Sequence, residues 1–168
     1  MRATIVIVED EAPLARNIKS YLDRAGYDVT VAETLKRGIE LYGSLRPEVM
    51  LIDHNLPDGT GLELIRRIRR DDRDTKLVMT TAHGGVQVAV DAMKSGCDDY
   101  MTKPVSLDEV GLVVDRLLAQ ARMADSLSYY HAQAKRRSGT GYILGESPAI
   151  VELRNRIGAV IAADERLV

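Results

Sequence analysis

The chain of 168 residues contains no Trp and no Phe, and tyrosine supplies all of its large aromatics. Its core must therefore be built from Ile, Leu, Val, Ala and Met. It has one cysteine, Cys97, which excludes an internal disulfide and fits a reducing compartment. Cys97 itself reads as a small buried hydrophobe. Long hydrophobic runs are missing too. The longest stretches, such as IGAVIAA at 157–163, fall far short of the roughly 20 residues that span a bilayer. The opening MRATIVIVEDE meets acid too early for a signal peptide, so a cytoplasmic location is expected and no membrane partner. Neither sign of charge dominates. A net charge of −2 gives no global argument for nucleic acid or an anionic surface as partner. No G-x-x-x-x-G-K-[ST] loop occurs, which excludes ATP binding by that motif and argues against an enzyme.

What is present is alternation. ATIVIV (3–8) is a β-branched run of the kind found in strands buried on both faces. Pro13 suits the first turn of a helix, whose apolar face is Leu14, Ile18, Tyr21, Leu22 and Ala25 and which Gly26 closes. DVTVA (28–32) predicts a second strand. Thr34 caps a helix running to about Leu45, ended by Pro47. EVMLID (48–53) predicts the third strand, and LPDGTG (56–61) a turn cluster. LELIRRIRR (62–70) is amphipathic, with Arg66, Arg67, Arg69 and Arg70 on its wet side. KLVMTT (76–81), VQVAVDAMKSG (86–96) and DDYMTK (98–103) read as strand, helix and strand, the last ended by Pro104. Some five βα repeats with short loops predict a parallel, doubly wound α/β sheet with helices on both faces. A last helix begins near Leu107 and keeps 3/4 spacing through Val110, Val114, Leu117, Ala121 and Ala124, then on a shifted register through Met123, Leu127, Tyr130 and Ala134. That length is at the threshold of a coiled coil.

In such sheets ligands bind outside the C-terminal strand ends. The first strand ends in Glu9 and Asp10, the third in Asp53, the fourth in Thr81 and the fifth in Lys103. Three carboxylates brought together repel; two charges ~4 Å apart cost about 4 kcal/mol at an effective dielectric of 20. A cation must join them, or one must hold a proton. Oxygen-only ligands with room for water suit Mg²⁺. A carboxylate, Mg²⁺ and a lysine describe phosphoryl transfer to an acid side chain, with Asp53 as nucleophile, Lys103 neutralising equatorial oxygens and Thr81 donating its hydroxyl. Singly, each residue has an ordinary reading: a solvated acidic loop, a turn-forming Asp, a β-forming Thr, a Lys-Pro loop. Each at the end of its own strand, in this order, they point to one site.

The segments IVIVEDE, LIDHNLPDGTGLELI, LVMTTAHG and DDYMTKP carry a resemblance over residues 1–122 to the receiver domains of bacterial two-component response regulators. The resemblance implies a flavodoxin-like five-stranded sheet of order 2-1-3-4-5. It implies Glu9, Asp10, Asp53 and the Asn55 backbone carbonyl as Mg²⁺ contacts. It further implies Asp53 as phosphoacceptor from a sensor histidine kinase, Lys103 as phosphoryl anchor with a cis Lys103–Pro104 bond, and Thr81 and Tyr100 as the switch pair. Glu9 departs from the Asp often found there, and Asn55 and His83 occupy positions that tune dephosphorylation.

YILGESPAIVELRNRI (142–157) resembles the entry to the AAA+ ATPase domain of activators that work with the alternative sigma-N factor. This resemblance implies three segments: a receiver (1–122), an extended dimerising linker helix (107–137), and a linker with the first helix, capped at Ser147-Pro148, of an ATPase domain that the chain stops just inside (138–168). On that reading the phospho-switch alters homodimer packing and controls the ATPase, and sigma-N RNA polymerase and DNA are reached only through domains outside the chain. The alternative is a stand-alone receiver acting by protein contact. A haloacid-dehalogenase-like phosphatase needs Asp-x-Asp-Gly-Thr directly after a strand; here Pro57 separates Asp53 from Asp58. GTGYILG (139–145) reads as linker, and His54, His83 and His131 are not at metal-ligand spacing.

Overall fold

The computed structural model describes residues 2–82, 86–137 and 150–152, with side chains described for 2–82, 88–124 and 150–152. The order is β1 (Thr4–Val8), α1 (Ala12–Arg24), β2 (Asp28–Ala32), α2 (Leu35–Leu45), β3 (Val49–Asp53), β4 (Asn55–Leu56), β5 (Gly59–Thr60), α3 (Gly61–Arg69), β6 (Lys76–Thr81), α4 (Val86–Lys94), β7 (Asp99–Thr102) and α5 (Leu107–Arg137). Five strands form one parallel sheet in the order β2-β1-β3-β6-β7. Counting only these long strands, that is the expected 2-1-3-4-5 order, and the fold is flavodoxin-like.

Side chains on the strands alternate between two cores. Ile5, Ile7, Leu51 and Val78 pack with Ile18 and Leu22 of α1 and Val110, Val114 and Leu117 of α5. Val6, Val8, Met50, Ile52, Leu77 and Met79 pack with Leu41 of α2, Leu64, Ile65 and Ile68 of α3 and Ala92 of α4. Burial on both faces is why these strands read as continuous apolar runs. Each fully buried Ile or Leu contributes about 1.5–3 kcal/mol relative to exposure.

Two sequence expectations are corrected. LPDGTG is more than a turn: Asn55 and Leu56 pair antiparallel with Thr60 and Gly59 in a small hairpin. The hairpin delivers Thr60 as N-cap of α3, where its Oγ1 accepts from Glu63 N and Glu63 Oε2 accepts from Thr60 N, so the helix starts at Gly61. The second correction concerns the arginines. Arg66, Arg67 and Arg70 are exposed. The Arg69 guanidinium instead donates to the Gly96 and Asp72 carbonyls and pairs with Asp98 Oδ2 at 2.5 Å. Asp98 also accepts from Leu77 N and lies 3.7 Å from Lys76 Nζ, so this cluster ties α3 to β6 and to the start of β7.

Contacts divide the chain into units Met1–Ala121 and Arg122–Val168. Ile150–Glu152 are helical. The rest of the tail, with LGESPAI up to Ala149, the GTGYILG segment and Ser147-Pro148, lies outside the described residues, as do His83 and the side chains of Leu127, Tyr130, His131 and Ala134.

Candidate active site at the C-terminal strand ends

Parallel strands end together, and here β1, β3, β6 and β7 deliver their last residues to one edge. Glu9 follows β1 and stays in the ladder, its N–H donating to the Ala32 carbonyl at 2.9 Å. Its side chain is buried, whereas the next residue, Asp10, is exposed. Asp53 ends β3 opposite Thr80 and is buried. Lys103 follows β7; its N–H donates to the Thr81 carbonyl at 2.7 Å, and the Lys103–Pro104 bond is cis.

The lysine joins the two buried acids. Its Nζ lies 2.7 Å from Glu9 Oε1 and 2.8 Å from Asp53 Oδ2. Burial pushes the Lys103 pKa down, but the hydrogen bonds to Asp53 and Glu9 outweigh it and the net direction is up. Burial, with the charge of Asp53 added, raises the Glu9 pKa even though Lys103 bonds to it. Carboxylate oxygens of Glu9, Asp10 and Asp53 lie within 4.8 Å of one another. Three carboxylates and one ammonium leave a formal charge of −2 at an oxygen-only site. That charge and donor set fit a hard divalent cation such as Mg²⁺.

Asn55 is exposed on β4, two residues beyond Asp53. Thr81 ends β6 and is fully buried. Tyr100 lies on β7 opposite Met79, while Thr81 is opposite Thr102, so Thr81 and Tyr100 are diagonal neighbours across the two strands. Tyr100 is half-buried and packs against the core of the α2, α3 and α4 side.

Three residues of the site's frame escaped the sequence reading. Gly61 N donates to the His54 carbonyl at 2.9 Å, and a Cβ on Gly61 would fall 2.3 Å from the Asp53 carbonyl oxygen. Asp58 accepts from Leu35 N at 2.7 Å and Lys36 N at 3.0 Å, which fastens the loop after Asp53 to the start of α2 and, chiefly through the Lys36 bond, lowers its own pKa. His54 is the third, with its N–H donating to the Thr80 carbonyl at 2.8 Å. The Pro57-Asp58-Gly59 turn signal was the one clue to Asp58, since Asp favours bonding to nearby backbone N–H groups.

Residues 5–115 match the family model of the response regulator receiver domain. The chain belongs to that family. Among curated relatives, the receiver and its tail are similar to the regulatory protein AtoC of Escherichia coli (29% identical over 149 residues, 89% of this chain and 32% of AtoC). They are also similar to the response regulator protein PilR of Pseudomonas aeruginosa (32% over 157 residues, 94% of this chain and 33% of PilR). The chain thus spans about a third of the length of these relatives. Among solved structures, the receiver superposes on a CheY-like response regulator receiver domain protein of Methanospirillum hungatei with a TM-score of 0.71 at 25% identity, covering 74% of this chain and 99% of that one. No helix among the described residues is long and apolar enough to cross a membrane.

Proposed function

We propose that this receiver accepts a phosphoryl group on Asp53 from the phosphohistidine of a sensor histidine kinase. The observation that carries the reading is the Lys103 ammonium held 2.8 Å from Asp53 Oδ2 and 2.7 Å from Glu9 Oε1 at the ends of the strands. An Asp53 carboxylate oxygen forms the new P–O bond as the P–N bond to the kinase imidazole breaks, and the electron pair leaves with that nitrogen. Lys103 holds positive charge against the phosphoryl oxygens, and the Thr81 hydroxyl donates to one of them. Glu9, Asp10, Asp53 and the Asn55 carbonyl would hold Mg²⁺. When bound, the ion offsets charge on the equatorial oxygens. The phosphoryl group draws Thr81 toward Asp53, Tyr100 fills the vacated space, and the face of α4, β7 and α5 is remodelled.

The output follows from the tail. LGESPAI resembles the entry to the AAA+ domain of sigma-N-dependent activators, and the likeness to PilR runs over 157 residues, past the end of the receiver match at 115. On this reading 1–122 is the receiver, 107–137 a dimerising helix, and 138–168 the start of the ATPase domain, with sigma-N RNA polymerase and DNA engaged by the complete cytoplasmic protein. The length of α5, 31 residues, and the exposure of Leu112 and Met123 on it support a helix that packs against a second copy. The chain is then a phosphoacceptor that assists its own phosphorylation and dephosphorylation.

Incubation with labelled acetyl phosphate and Mg²⁺ tests the site. Asp53→Asn should abolish the label; label persisting in that variant would place the acceptor elsewhere. Sedimentation with and without phosphorylation tests the output. Monomers at every concentration in both states would refute the dimer.

A further inference from the structure

The alternation of side chains along the sheet sorts the strand-end residues onto two faces. Val49 and Leu51 of β3 belong to the core on the side of α1 and α5, and Met50 and Ile52 to the core on the side of α2, α3 and α4. The same parity sends Asp53 to the first side and His54 to the second. On β6, Leu77 and Met79 face the second side, so Thr81 follows them, and Tyr100 of β7 packs there as well. His54 is thus adjacent to Asp53 in the chain, yet shares its face of the sheet with Thr81 and Tyr100.

Its backbone is committed at both ends, with N–H bonded to the Thr80 carbonyl and C=O bonded by Gly61 N. Its ring is half-buried, and the buried Nδ1 makes no hydrogen bond, the one side-chain atom in that condition among the described residues. A buried polar atom without a partner penalises the conformation that contains it. Because the backbone is pinned by β6 and α3, this ring cannot leave the sheet edge by a loop movement. A rearrangement of the groups around the ring would relieve that penalty if it brought a donor or acceptor to Nδ1, and Thr81 and Tyr100, on the same face, carry hydroxyls of the kind that pair with an imidazole nitrogen.

We infer that His54 is a positioning residue of the phospho-switch: its unpaired ring nitrogen disfavours the unphosphorylated arrangement and so strengthens phosphoryl uptake at Asp53. The inference rests on the phosphoacceptor reading of Asp53. A ligand that prefers one of two states binds more tightly when the other state is penalised, and one unsatisfied polar group shifts such an equilibrium by about tenfold.

The test compares wild type, His54→Leu and His54→Asn by thermal unfolding without ligand and by calorimetric titration with beryllofluoride and Mg²⁺, a mimic of the aspartyl phosphate. Leucine removes the polar atom while keeping bulk; asparagine keeps a polar group close to the position of Nδ1. Expected are a free His54→Leu protein that melts above wild type and binds beryllofluoride about five- to tenfold more weakly, with His54→Asn close to wild type in both. Equal affinity of wild type and His54→Leu would overturn the inference, as would a His54→Leu protein that melts below wild type or fails to fold. Failure of the wild-type protein itself to bind beryllofluoride would instead refute the reading of Asp53 as acceptor.

Discussion

The first residue of α3, Gly61, stands against the phosphoacceptor so closely that a Cβ there would lie 2.3 Å from the Asp53 carbonyl oxygen and 3.0 Å from Ile52 Cγ2. Neither atom belongs to a flexible side-chain end, since one is backbone and the other is in the core. Gly61→Ala should therefore push α3 away from β3. The expected cost is about 1–3 kcal/mol in urea unfolding, in the range of overpacked cores, together with slower acetyl phosphate labelling of Asp53. A variant with wild-type stability and labelling rate would show that the helix start is free to shift.

Lys103 is the only cation bonded to Glu9 and Asp53 among the described residues, and both acids are buried. Lys103→Met leaves two carboxylates facing each other at the sheet edge. Removing one partner of a buried ion pair costs about 3–5 kcal/mol; with Asp10 open to water the loss here should be nearer ~2 kcal/mol. Mg²⁺ should raise the melting temperature of this variant more than that of wild type, because the site becomes more negative. An equal Mg²⁺ shift in both proteins would contradict the ion's placement among these acids.

Asp72 is held at a pKa of about 2. Burial works to raise it, but the Thr75 hydroxyl at 2.6 Å, the Asp74 and Thr75 N–H groups and the Tyr42 hydroxyl all bond to the ionised form. The sign follows from linkage: a folded-state pKa below the unfolded value of about 3.9 stabilises the protein above that value, and the contribution is lost as pH falls toward about 2. Because the group is partly open to solvent, the effect is about 1 kcal/mol. The stability difference between wild type and Asp72→Asn should hold from pH 7 to about 5 and shrink between about 4 and 2. A difference constant across that window would show that ionised Asp72 contributes nothing.

Burial pushes the Cys97 thiol up to about 11, and its Sγ lies 3.1 Å from the Leu77 carbonyl and 2.7 Å from that of Asp99. The thiolate is the reactive form, so alkylation by iodoacetamide at pH 8 should be about 100-fold slower in the native protein than in urea. Comparable rates would mean that the loop between α4 and β7 opens readily.

Much of this protein is legible along the chain, because its strands are buried on both faces and appear as uninterrupted apolar runs, and because Glu9, Asp10, Asp53, Thr81 and Lys103 each mark a strand end. The Thr34 cap was readable as well, its Oγ1 accepting from Arg37 N at 3.1 Å. Less was visible where a side chain's role depends on a distant element. Arg69 shares its helix with exposed arginines and has the same local pattern, yet Gly96 and Asp98, nearly 30 positions away, draw it inward.

Sequence by itself determined the order of the elements, the pairing of apolar periodicity with each, and the residue types at the strand ends, since these depend on local propensity and spacing. Only the tertiary structure decided that one ammonium bonds both Glu9 and Asp53, that Gly61 must lack a Cβ, and that His54 buries an unpaired ring nitrogen. Those facts depend on through-space distances of a few ångströms between segments up to 94 residues apart, and such distances are set by how strands and helices pack.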